Sequence, residues 1–221
     1  MAKKGTGLLM VWADVPANKE DEFNRWYNEE HLPERMAIPG FLSGARYEAV
    51  KGGPKHLAYY ELESAAVLET PAYKKVQANP TEWTKRSGPG AIATTFIRNV
   101  YSMIHPQAIT STIAAAPMAP VLQIGRMNVP PAVDADFNTW YSTIYVPNYE
   151  KVPGVIRGRR YRAVEGTPTY LTLYEFEHPK VSESPAWMAQ RDAVPANEQM
   201  RKNMTHAPGS PGVYVKTVEL S

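Results

Sequence analysis

The chain has 221 residues, 24 basic against 22 acidic side chains, a formal charge of +2, and 43% hydrophobic residues. That near-neutral balance leaves no electrostatic footprint for nucleic acid or for an anionic membrane surface. The absence of cysteine excludes disulfides, thiolate nucleophiles and Cys-ligated metals, and fits a reducing compartment.

In chain order, MAKKGTGLLMVWADV opens with two lysines and an apolar run that breaks at Asp14. The run is too short for a secretory signal, and no window approaches a membrane span, so the expected location is the cytoplasm. LLMVWADV reads as a strand. Phe23, Trp26 and Tyr27 then recur at helical spacing behind an acidic first turn. This helix is expected to end before Pro33, because the residue before proline avoids helical geometry. Pro39-Gly40 marks a turn into the strand ARYEAV, and KGGP a turn into HLAYYELE. Thr70-Pro71 predicts an N-cap followed by proline at the first position of a second helix, which Asn79-Pro80 interrupts or ends. AIATTFIRNVYSMI is the closing strand.

The same order then returns. FNRWYNEEHLPE at 23–34 reappears as FNTWYSTIYVPN at 137–148, an ungapped offset of 114 that runs from Leu8/Leu122 to Tyr73/Trp187. Roughly four in ten positions are identical between 23–64 and 137–178, which marks a tandem duplication. Ser184-Pro185 repeats the capped helix start, Pro195 interrupts or ends that helix, and GVYVKTVEL closes the second unit. The Ala/Pro-rich stretch between the copies shows no helical periodicity. The division is therefore a first ferredoxin-like repeat at 1–104, a linker at 105–119 and a second repeat at 120–221. Each βαββαβ unit forms a four-stranded antiparallel sheet with its helices on one face. The bare faces predict an α+β chain whose two sheets pack face to face as an α/β barrel, with a pocket between them. The linker length is equally compatible with pairing swapped between two chains, so a homodimer stays open.

The phrase WYNEEHLPERMAIPGF, followed by the strand PKHLAYYELES, resembles the dimeric α/β-barrel superfamily, and within it the EthD-like group. The resemblance covers both halves. It implies the barrel fold and a small-molecule enzyme, and it implies a functional His31 at the end of the first helix; the second half departs from the pattern with Tyr145. The superfamily spans cofactor-free oxygenases, cyclases, decarboxylases, isomerases and haem enzymes, and the fold does not choose among them.

At the positions of Glu30 and His31 the second half carries Ile144 and Tyr145. Positions that accept apolar residues face inward at least once, and a buried polar pair needs a reason. His31 reads either as a general acid/base or as a helix-end cation favoured by the dipole. Asp14 reads either as the group that orients His31, alongside Glu30, or as a turn residue before Pro16. Alternation puts Leu9, Val11, Ala13 and Val15 under the helices. It puts Leu8, Met10, Trp12 and Asp14, with Leu122, Ile124, Arg126 and Asn128, on a pocket wall. Tyr60 and Tyr174 read as core tyrosines or as pocket donors. Arg46 and Arg160 read as structural ion pairs, with Glu61 and Glu175 as partners, or as binders of a substrate anion. Arg126, present in one copy opposite Trp12, is the better candidate for ligand contact.

No phosphate-binding glycine loop or zinc spacing is present, so no metal and no cofactor is expected. Haem, through His178 or His206, is the minority alternative implied by some tandem relatives. The leading expectation is a cofactor-independent lyase, isomerase, decarboxylase or cyclase, or a cofactor-free oxygenase. Its substrate is a small hydrophobic cyclic or aromatic carbonyl compound, with His31, Asp14 and Glu30 catalytic and Trp12, Arg126, Tyr60, Tyr145, Tyr174 and Arg46 around the substrate. The alternative is a non-catalytic binding or scaffold protein of the same fold.

Overall fold

The structure, a computed structural model, describes residues 2–220. Its strands are β1 (Gly7–Asp14), β2 (Phe41–Lys51), β3 (His56–Leu62), β4 (Thr95–His105), β5 (Val121–Asn128), β6 (Val155–Glu165), β7 (Tyr170–Phe176), the two-residue β8 (Thr205–His206) and β9 (Gly212–Leu220). The first half pairs in the order β4-β1-β3-β2 and the second in the order β9-β5-β7-β6. The two sheets do more than face each other. β2 pairs with β9 and β4 with β6, so eight antiparallel strands close into one barrel within a single chain. Closure removes every long unpaired edge.

Alternation along the strands is as expected from the sequence. Leu8, Met10 and Trp12 point into the barrel with Leu122 and Ile124, while Leu9 and Ala13 pack under the helices. The Pro39-Gly40 turn needs its glycine: Gly40 has φ +93°, and a Cβ there would meet the Val67 side chain at 2.5 Å.

The helical layer departs from the sequence reading at Pro33. Helix α1 (Glu20–Trp26) does not stop there but passes through a π-helical turn, Tyr27–His31, into α2 (Leu32–Met36). The wider turn accommodates a residue that lacks an N–H and would otherwise clash with the turn before it. The second helix of the first half starts where expected, α3 (Pro71–Ala78), with the Thr70 hydroxyl accepting from the Tyr73 amide. It continues after Pro80 as α4 (Glu82–Ser87) and α5 (Pro89–Ile92). The 105–119 stretch contains a one-turn helix, α6 (Ser111–Ala115), capped by Thr110, which periodicity alone is too short to reveal. The second half repeats the pattern with α7 (Asp134–Trp140), a π turn at Tyr141–Tyr145, α8 (Val146–Tyr149) and α9 (Pro185–Gln190). Pro195 starts α10 (Pro195–Arg201) rather than ending a helix, as proline at the first position can.

One barrel end is plugged. Met118 and Ala119 are buried there, and the Ala119 carbonyl accepts from the Tyr47 hydroxyl at 2.8 Å. Beside them lies a buried ionic cluster. Arg159 holds Glu61 at 2.5 Å and Glu175 at 2.8 Å, while Lys4 stands 3.4 and 3.3 Å from the same two carboxylates. Burial alone would raise the Glu61 carboxyl, but Arg159 and Lys4 hold it below its ordinary range. The partners expected for Glu61 and Glu175 were Arg46 and Arg160. The structure corrects this by one residue: Arg159 faces the barrel and its neighbour Arg160 the helices.

Candidate functional site

The residues singled out in the sequence separate into three places. The first is the helical layer of the first half. His31 is partly buried, 4.5 Å from the Trp26 ring and 5.0 Å from Tyr27, with Arg35 Nε approaching its Nε2 at 3.5 Å. Burial, and then the Arg35 charge, push its pKa down to about 3, so the imidazole is neutral at pH 7. Neither expected companion joins it. Glu30 accepts from Trp26 Nε1 (3.2 Å), Thr81 (2.6 Å) and Thr84 (3.1 Å), which clamps α4 to the first helix. Asp14 lies at the open end of the barrel, accepting from the Lys55 amide at 2.7 Å. His31 also lies outside all four main cavities.

Arg46 and Tyr60 share this layer. Arg46 donates to Asn28 at 2.9 Å and Asn24 at 2.7 Å and stacks 4.8 Å from the Tyr27 ring centroid. Its role is to pin α1 to β2. Arg160 does the same in the second half through Asn138 and Ser142, each at 2.8 Å. Amide oxygens and ring faces thus compensate these cations, in place of the expected carboxylates. Close by, Glu20, Glu48 and His56 form the one trio among the described residues near enough to share a metal ion. Its Glu20 carboxylate already holds the Lys55 ammonium.

The second place is the barrel mouth, where Arg126 lies 4.5 Å from the Trp12 ring centroid. Juxtaposition of these two was readable from strand alternation.

The third is a cleft of about 400 Å³ between the second half's sheet and its helices. This volume lies within the range of about 300–1,000 Å³ usual for small-molecule sites. Tyr145 and Tyr174 line it, together with Tyr141, Tyr149 and Trp187, and Arg191, Arg201 and His206 stand around it. Tyr145 occupies the place that His31 has in the first half, with the same neighbours: Trp140 at 4.6 Å and Tyr141 at 4.8 Å. What differs is one turn further on. Arg35 is replaced by Tyr149, whose hydroxyl lies 3.2 Å from that of Tyr145. Tyr174, 5.1 Å from Trp187, has a buried hydroxyl with no hydrogen-bond partner among the described residues.

Burial raises the phenols of Tyr141, Tyr145, Tyr149 and Tyr174. They remain protonated and can donate hydrogen bonds, but they are poor bases. His206, on β8, is exposed at the rim, yet the surrounding protein pushes its imidazole below the ordinary range. It is therefore a neutral base at pH 7. Arg201 is anchored to Asp192 at 2.7 Å and to the Asn197 carbonyl at 3.2 Å. The cleft thus joins protonated donors, two guanidinium groups and one neutral imidazole.

Of the two histidines considered for haem, His178 is exposed outside the main cavities, and His206 stands at the rim of the cleft, where Tyr149 and Trp187 pack 4.2 Å apart.

Tyr141, Tyr149, Trp187, Arg191 and Arg201 were not read as site residues from the sequence, and His206 was read only as a haem-ligand candidate. A signal existed for Tyr149, since Tyr145 and Tyr149 stand four apart on one helix, where side chains meet. None existed for Arg191, Arg201 and His206, which lie beyond the ungapped repeat.

No protein-family model and no curated protein matches the chain. Among solved structures, an anthrone oxidase-like protein superposes with a TM-score of 0.68 at 16% identity, covering 100% of this chain and 95% of its own. A candidate monooxygenase from Fusobacterium nucleatum gives 0.59 at 11%, covering 97% and 94%. Chlorite dismutase from Candidatus Nitrospira defluvii, in complex with imidazole, gives 0.57 at 9%, covering 98% and 92%. At these identities the likeness defines the fold: an α+β chain with a closed antiparallel barrel, of the dimeric α/β-barrel type. No helix among the described residues is long and apolar enough to cross a membrane.

Proposed function

We propose that the chain is an enzyme that moves a proton on a cyclic aromatic ketone bound in the tyrosine-lined cleft. The observation that carries this is the convergence of four buried phenols, Arg201 and the imidazole of His206 on one cavity. His206 removes a proton from the acidic methylene conjugated with the carbonyl, which in anthrone lies across the central ring. The electron pair moves onto oxygen, where the Tyr145–Tyr149 hydroxyl pair, Tyr174 and Arg201 stabilise the enolate. Lyase, isomerase and cyclase reactions, and cofactor-free oxygenation, can proceed from such an enolate, and decarboxylation generates one as carbon dioxide leaves. The step itself needs no cofactor. The likeness to an anthrone oxidase-like protein supports a fused-ring ketone, and the flat walls of Trp187, Tyr149 and Tyr174 suit one.

Within this reading the chain is a tandem duplication of a ferredoxin-like unit, divided near residues 104 and 120, and only the second half keeps its helix–sheet cleft open. The equal registers of the two halves support the duplication, since Gly7 pairs with Leu62 and Val121 with Phe176, each shifted by the same 114 residues.

The test is solvent deuterium incorporation into the ring methylene of anthrone, across the central ring from its carbonyl, above the uncatalysed rate. His206→Ala is expected to lower kcat by about 10²–10⁴-fold, the range for a general base. A loss below threefold would remove His206 from the mechanism, and no enzyme-dependent exchange in the wild type would remove the enzyme reading itself.

A further inference from the structure

A second cavity of about 830 Å³ opens at the unplugged end of the barrel, separate from the cleft except that His206 stands in both walls. It is lined by Arg126, a guanidinium group that is 3% exposed. Stacked on Trp12, this group makes one side-chain hydrogen bond, to the Pro208 carbonyl at 3.3 Å. The phenols of Tyr101 and Tyr214 act on its charge, Asp14 and His206 line the same cavity, and among the described residues no carboxylate pairs with it.

That sets Arg126 apart from the other buried cations of the molecule. Arg159 and Lys4 share two carboxylates, and Arg46 and Arg160 each hold two side-chain oxygens. A desolvated guanidinium with one carbonyl partner is costly to maintain. The charges at the rim are already engaged, Asp14 by the Lys55 amide and Lys55 by Glu20. The surrounding wall is mixed, with Ala49, Pro54, Ile97 and Pro168 beside Thr95 and Asn128.

We propose that the barrel mouth is a binding site for a small aryl or short-chain carboxylate, distinct from the cleft. The carboxylate takes the unoccupied N–H groups of Arg126, whose planar fork matches its two oxygens. The apolar body lies against Ile97, Ala49 and the two prolines. A carboxylate fits better than phosphate, because a third anionic oxygen would find Lys55 already bound to Glu20. The site also bears on the loop that roofs the mouth. The Arg126 amide donates to the Ser210 hydroxyl at 2.7 Å, and its carbonyl accepts from the Ala207 amide at 3.0 Å.

Benzoate is the probe, titrated by calorimetry into wild type, Arg126→Met and Tyr174→Phe, with nitrogen-15 spectra of wild type followed in parallel. The expected result is saturable binding, with shifts at Arg126, Ala207 and Gly209. Affinity should fall by about tenfold or more in Arg126→Met, as for loss of a charged hydrogen bond, and stay unchanged in Tyr174→Phe. Lack of saturation, shifts centred on Trp187 and Arg201, or equal affinity in Arg126→Met would each overturn the proposal. Inorganic phosphate that displaces benzoate at equal concentration would overturn the ligand class. If Arg126→Met does not fold, the wild-type shifts decide.

Discussion

His31 provides a stability test that is independent of any substrate. In the folded protein its pKa is pushed down to about 3, first by burial and then by Arg35, against an ordinary 6.5. The unfolded chain therefore takes up a proton that the native state refuses. The resulting stability is fully present above pH 6.5 and is lost as the pH falls towards 3. Between pH 7 and pH 5 the loss from this one residue comes to about 2 kcal/mol. The comparison is His31→Tyr, which reproduces Tyr145, a side chain that the equivalent position holds at matching ring distances of 4.6 and 4.8 Å. Urea unfolding at pH 7 and pH 5 should show wild type losing about 2 kcal/mol more than the variant. Equal losses in the two proteins would refute the burial argument, because His56, His105 and His206 are common to both.

Other expectations concern particular contacts. Tyr174→Phe removes a buried hydroxyl without a partner, so urea stability should change by less than about 1 kcal/mol, while affinity for the cleft ketone falls. Arg159→Met leaves buried Glu61 with Lys4 as its remaining cation, and Glu175 with Lys4 and Arg157, and should cost about 3–5 kcal/mol by the same assay. Glu30→Ala should cost about 1–3 kcal/mol through the lost clamp on Thr81 and Thr84; deuterium exchange into the ketone should be unaffected, unlike in His206→Ala.

The strands and their facing were legible because period-two alternation is a local signal, present in both halves of the chain. Closure was only partly legible. Edge pairing of β2 with β9 and of β4 with β6 depends on residues about 60 or more apart in a register no local pattern encodes. Pro33 misled because the rule against proline in helices assumes regular α geometry, and a π turn relaxes that rule. The asymmetry between Glu30-His31 and Ile144-Tyr145 did mark a real difference between the halves. The histidine lies outside the main cavities, and the tyrosine lines the cleft of the other half. Spacing shows that two positions are equivalent; which one lines empty space depends on packing around them. In the first half Glu30, Thr81 and Trp83 draw the helices tight against one another, and Glu22 accepts from Trp83 at 2.6 Å. In the second half Trp140 is held instead by Asn197 at 3.0 Å, and the tyrosine side remains open.

The central claim is that the cleft, and neither His31 nor the barrel mouth, receives the ketone. A crystal structure of the protein with anthrone bound tests it most directly. The account predicts the ketone oxygen within about 2.7–3.2 Å of a cleft hydroxyl or of Arg201, with its rings against Trp187 and His206 at the reacting carbon. Anthrone found beside Arg126 or against His31, with the cleft empty, would contradict it.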